Sequence, residues 1–173
     1  MSDIWVISDT HFNHYNILTF HNEDGSEVRP GFSSLKEMNE CMIDNWNSVV
    51  KQGDKVYHLG DVFFGPKEWF QENWPKLNGS KRLVVGNHDD IKYLSSGGFF
   101  KKVYMWRMFP EYNLLFSHVP LHPSHIRMDC TNVHGHIHGM DSPEGKYINV
   151  CVEKTNYTPV HIETLREEAN GSS

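Results

Sequence analysis

Apolar positions along this chain fall into short blocks separated by polar and glycine-containing stretches. Five such runs are Ile4-Trp5-Val6-Ile7, Lys55-Val56-Tyr57-His58-Leu59, Arg82-Leu83-Val84-Val85, Leu114-Leu115-Phe116 and Thr131-Asn132-Val133. Each is rich in β-branched or aromatic residues and too short for a helix, which predicts buried strands. Val103–Met108 and Tyr147–Glu153 predict two more. In the second, Ile148, Val150 and Val152 alternate with Asn149, Cys151 and Glu153, the period of a strand with unlike faces. Pro110-Glu111-Tyr112-Asn113 suits a hairpin turn between Val103–Met108 and Leu114–Phe116.

Between some strands the period lengthens to that of a helix. Ser34-x-x-Glu37 predicts a capping box, and Leu35, Met38, Met42, Trp46 and Val49 then form one apolar stripe. Pro66 opens a second helix carrying Trp69, Phe70 and Trp74, which Pro75 stops. A short helix after Asp89 closes at Gly97-Gly98. Strands alternating with helices, and a strand-rich second half, predict a mixed α/β layered domain.

Composition narrows the function. A chain of 173 residues fits one domain, expected over 1–166, with the small and polar residues 167–173 as a flexible tail. The formal net charge of -6 argues against a general polyanion binder, whose affinity comes from Lys and Arg on phosphates. No apolar run approaches the roughly 18 residues that cross a bilayer, so no membrane partner is expected. The first residues lack the basic and apolar regions of a signal peptide. Cys41, Cys130 and Cys151 fit neither a disulfide framework nor a C-x-x-C knuckle, which suits a reducing, cytoplasmic setting. The unusual number is 12 histidines.

Their placement is informative. Asp9 and His11 follow the first run, Asp61 the second, Asn87, His88 and Asp89 the third, His118 the fourth, and His136 and His138 the fifth. Ligands of α/β folds gather at the carboxyl ends of strands. Asp9, Asp61 and Asn87 offer oxygens, and His11, His118, His136 and His138 offer nitrogens. Seven such groups exceed the needs of one four-coordinate ion and suit two ions sharing a carboxylate. Nitrogen and oxygen ligation without thiolate favours Mn, Fe, Zn or Ni.

This ordered set, Asp9-x-His11, Gly60-Asp61, Gly86-Asn87-His88-Asp89, His118 and Gly135-His136-x-His138, resembles the calcineurin-like metallophosphoesterases. The resemblance implies a four-layer αββα sandwich, minimal and without a cap domain. It implies one metal on Asp9, His11, Asp61 and His138, and a second on Asp61, Asn87, His118 and His136, with Asp61 bridging. His88 takes the place of the family's catalytic histidine and Asp89 that of the acid orienting it. Two departures stand out. Phe64 lies three positions after Asp61, where the family often has an acid or amide, and Asn13 stands where many members have glycine.

The expected activity is metal-dependent hydrolysis of a phosphoric ester, with Mn favoured. A small nucleotide or similar diester is expected over a monoester or long nucleic acid, because the chain offers few site cations. A nuclease or phosphomonoesterase of the same family and a non-catalytic metal-containing interaction module are the alternatives. His14 either lines the substrate side or lies at the surface. Arg29 and Arg127 either grip phosphate or stand solvated in loops.

Overall fold

The computed structural model describes residues 1–127 and 129–171. One sheet contains β1 (Ile4–Ile7), β2 (Lys55–His58), β3 (Ser80–Val84), β4 (Lys102–Tyr104) and β9 (Val160–His161), in the order β4-β3-β2-β1-β9. Only β9 runs antiparallel to its neighbour. The other contains β5 (Trp106–Phe109), β6 (Leu114–Ser117), β7 (Thr131–His134) and β8 (Tyr147–Asn149) in sequence order, with β5 antiparallel to β6. This two-sheet α/β architecture agrees with the layered α/β domain expected from the sequence.

The first sheet is buried on both faces, which is why its strands read as unbroken apolar runs. Ile7, Val56 and Leu83 face α1 (Leu35–Val49), α2 (Lys67–Asn73) and α3 (Ile91–Ser96), in a core with Met38, Trp46, Phe70 and Leu94. Their neighbours Val6, Tyr57 and Val84 face Leu114, Phe116 and Val133 of the second sheet.

Several elements differ from the sequence reading. The run 103–108 is two strands broken at exposed Met105, where the chain leaves the edge of one sheet for the edge of the other. Strand 147–153 ends its sheet pairing at Asn149. Beyond it, Val150 N–H donates to His134, and Val152 N–H donates to Ser8 beyond β1, so this segment links the two sheets. Ser34 Oγ caps α1 by accepting from the Glu37 N–H at 3.1 Å, but the Glu37 carboxylate reaches Ser33 and not Ser34. Residues 167–171, expected to be a flexible tail, continue α4 (Ile162–Gly171). Ile162, Leu165 and Ala169 give that helix an apolar stripe against the inter-sheet core. No described helix is long and apolar enough to cross a membrane.

Candidate metal centre

All the residues singled out after strands arrive at one end of the sandwich. Asp9 and His11 follow β1, Asp61 follows β2, Asn87 to Asp89 follow β3, His118 follows β6, and His136 and His138 follow β7. The first sheet thus supplies all three oxygen ligands and one nitrogen, and the second the other three nitrogens. Their loops are tied together by the backbone, with Asp9 N–H donating to Gly60 at 3.0 Å and His11 N–H to Asp61 at 3.1 Å.

Two groups result. Ligand atoms of Asp9, His11 and His138 lie within 4.8 Å of one another, as do those of Asp61, His118 and His136. Asp61 Oδ2 stands between them, 3.6 Å from His11 Nε2 and 3.5 Å from His118 Nε2. Asn87 Oδ1 completes the second group, 2.8 Å from His118 Nε2 and 2.9 Å from His136 Nδ1.

The free atoms test whether cations fit. Asp9 Oδ2 accepts from Ser8 Oγ and from the His136 N–H, whereas Asp9 Oδ1 is buried without a partner. His11 Nε2 is likewise buried and unpartnered, 3.7 Å from that oxygen. Buried polar atoms are almost always satisfied, so a facing pair of orphans marks a place for a cation. His118 Nδ1–H donates to the Leu59 carbonyl at 2.7 Å, which turns Nε2 inward. His138 Nδ1–H donates to Glu153 Oε1 at 2.9 Å and frees its Nε2 in the same way. These are the outer partners that orient metal-bound imidazoles. The donor set fits two divalent ions.

Charge and strain agree. Burial would raise the Asp61 pKa, but the neighbouring His11 and His118 imidazoles and the His118 charge hold it well below the carboxylate range. Burial opposes a charge on His118, yet Asp61 and Asp9 push its pKa up to about 9. The carboxylates therefore draw positive charge into the site. Asp9, His11, Asp61, His136 and His138 all have positive φ, between 46° and 71°. Left-handed backbone is rare outside glycine and collects at functional sites. Gly86 and Gly135 allow the crowding, since a Cβ at either would meet Asp61 or Asp9.

Two assignments change. Asp89 does not orient His88 with its side chain. Its oxygens accept from the backbone N–H groups of Asp61, Val62 and Gly86, at 3.0, 2.9 and 2.8 Å, and so clamp two ligand loops together. His88 itself is exposed at the mouth, its ring 6.3 Å from that of His11 and its N–H on Asp61 Oδ1. Arg29 is 1% exposed and takes no substrate role. Its guanidinium donates to Glu153 and to the carbonyls of Asp9 and Thr10. Arg127 lies exposed beside Asp129, as a solvated loop arginine would. His14 does join the site, with Nδ1 3.0 Å from His11 Nδ1. Glu153 was missed. Its only signal was an acid on the polar face of an alternating strand.

The calcineurin-like phosphoesterase family model matches residues 2–167. An uncharacterized protein of Methanocaldococcus jannaschii is 36% identical over 174 residues, covering 95% of this chain and 90% of that one. The gene 66 protein of Mycobacterium phage L5 is 30% identical over 96 residues, or 51% of this chain and 41% of its own. Among solved structures, a protein of unknown function from Aquifex aeolicus superimposes with a TM-score of 0.72 at 29% identity, covering 97% of this chain and 100% of that one.

Proposed function

We propose, from the premise that the chain belongs to the calcineurin-like phosphoesterases, that this metal-dependent phosphoester hydrolase is a phosphodiesterase for a small nucleotide or similar diester. The observation that carries the reading is the engagement of Arg29. A monoester dianion calls for cationic groups around its non-bridging oxygens beyond the metals. Of the two arginines that sequence reasoning offered, Arg29 is buried in the fold and Arg127 is exposed beside the Asp129 carboxylate. A diester carries one negative charge and needs no such clamp.

Asp9, His11, Asp61 and His138 would hold one divalent ion, and Asp61, Asn87, His118 and His136 the other. Two bound ions supply Lewis-acid activation of water near neutral pH and neutralise phosphoryl charge. Asp61 would serve both, since its carboxylate faces a ligand of each group. His88, exposed at the mouth, donates a ring N–H proton to the departing alkoxide oxygen. Asp89 keeps the loop bearing His88 registered against the loop bearing Asp61.

Mixed N/O ligation supports manganese as the working metal. The net charge of -6 supports a small substrate over long nucleic acid. The free state of Cys41, Cys130 and Cys151 supports a cytoplasmic setting. The test compares p-nitrophenyl phosphate, bis-p-nitrophenyl phosphate and cyclic nucleotides, with Mn and with chelator. Higher efficiency on the diesters is expected. A monoester preference of about tenfold, about 1.4 kcal/mol of transition-state stabilisation, would reverse the reading.

A further inference from the structure

The structure assigns His14, which the family's ligand pattern leaves without a role, as a positioning residue that fixes His11 for metal binding. The assignment rests on the two-ion reading of the site above. The turn after β1 brings the two rings together. Asn13 has φ 60°, its N–H donates to Asn39 of α1 at 2.9 Å, and the His14 N–H returns to the His11 carbonyl at 3.1 Å. The rings then lie nearly parallel, 16° apart, with their Nδ1 atoms at 3.0 Å.

Only one of those two nitrogens can carry the shared proton, and His11 decides which. Its Nε2 faces Asp9 and Asp61. When Nε2 gives its lone pair to a cation, the ring keeps its proton on Nδ1. His11 Nδ1–H is therefore the donor and His14 Nδ1 the acceptor in the ligated state. His14 must then be the neutral Nε2–H tautomer. An acceptor on the far nitrogen fixes ring orientation and raises ligand basicity.

Phe64 reinforces the pair. Its ring stacks on His14 at 4.0 Å and 14°, and on His11 at 4.9 Å and 13°. Its N–H donates to the Phe12 carbonyl at 2.8 Å, which anchors it beside the His11 turn. One face of the hydrogen-bonded pair is thereby covered by an apolar ring. A shielded hydrogen bond is stronger than an exposed one because water does not compete for it. This gives a physical reason for a phenylalanine three positions after Asp61.

The experiment titrates the metal-free full chain with Mn²⁺ by calorimetry, for the wild type, His14→Phe and His14→Asn. Asn Oδ1 falls where the His Nδ1 stands and can accept the same hydrogen bond. The Phe variant should weaken one of the two sites about 10–100-fold, while the Asn variant stays within about threefold of wild type. Wild-type affinity in His14→Phe, or equal loss in both variants, would overturn the assignment. If His14→Phe does not fold, His14→Leu against His14→Asn provides the same comparison. A wild-type chain that takes up fewer than two ions would refute the two-ion reading instead, so the two failures are separable.

Discussion

Glu153 Oε1 accepts from His138 Nδ1 at 2.9 Å while also receiving Arg29 Nε at 2.8 Å. One carboxylate oxygen thus joins a candidate ligand to a buried guanidinium. Arg29 in turn holds the carbonyls of Asp9 and Thr10, so the arrangement reaches the first ligand loop from behind. Burial would raise the Glu153 pKa, but Arg29 and His138 hold it below the ordinary range. Glu153→Gln should lower Mn²⁺ affinity at one site about 10–100-fold. It should also cost about 3 kcal/mol in urea unfolding of the metal-free chain, because Arg29 loses its counter-charge. An unchanged calorimetric titration would show that the carboxylate does not act on the metal site.

His88→Ala separates chemistry from metal binding. Its ring lies outside both ligand groups, so the variant should retain two ions by elemental analysis. Its turnover should fall about 10²–10⁴-fold on diesters with poor leaving groups, and less where the leaving group is already stable as an anion. A variant that lost metal as readily as His136→Ala would place His88 among the ligands.

Gly135→Ala tests the close approach of loops. A Cβ there meets Ser8 Oγ and Asp9 Oδ2, the oxygen that anchors the His136 N–H. Overpacking costs typically about 1–3 kcal/mol, and here it falls directly on a candidate ligand. The variant should melt earlier and bind Mn²⁺ poorly. Gly53→Ala is the control, since a Cβ at Gly53 meets nothing within 4 Å. Equal melting temperatures in the two variants would contradict the account.

Asp54 predicts an acid-sensitive contribution far from the site. Its carboxylate accepts from the N–H groups of Asp3 and Lys51 and from the Trp5 indole, at 3.1, 2.9 and 3.1 Å. Burial alone would raise its pKa. The three donors outweigh that and hold it below the ordinary 3.8. A depressed folded pKa gives stability that is present above the unfolded value and lost as pH falls through the folded one. Asp54→Ala should therefore cost about 3 kcal/mol at pH 7, and the gap to wild type should shrink below about pH 4. A gap independent of pH would assign the loss to packing instead of charge.

Much of this was legible in the chain because the ligand loops follow directly from the strands. Ile4–Ile7 and Arg82–Val85 read as buried runs since both faces of their sheet are covered, and the polar residues that end them reach the edge of the core. Contacts set by tertiary folding were not legible. Arg29 pairs with Glu153 at a separation of 124 residues, and no local pattern distinguishes it from a solvated loop arginine. The role of Asp89 came from the family resemblance alone, whereas its carboxylate turns toward Asp61, which lies 28 residues away. The end of α4 was hidden by Glu167 and Glu168, although Ile162, Leu165 and Ala169 carry a helical period.

The division of the candidate ligands between two sheets has a mechanical consequence. Asp9, His11, Asp61 and Asn87 hang from one sheet and His118, His136 and His138 from the other, so an ion held by both acts as a rivet through the seam. Ligation then couples to the opening of the sandwich. At about a hundredfold excess over its Kd, each ion adds about 2.7 kcal/mol of resistance to unfolding. The sandwich would gain much of its rigidity from the same ions that support its chemistry, and chelation would leave it easier for a protease to cut.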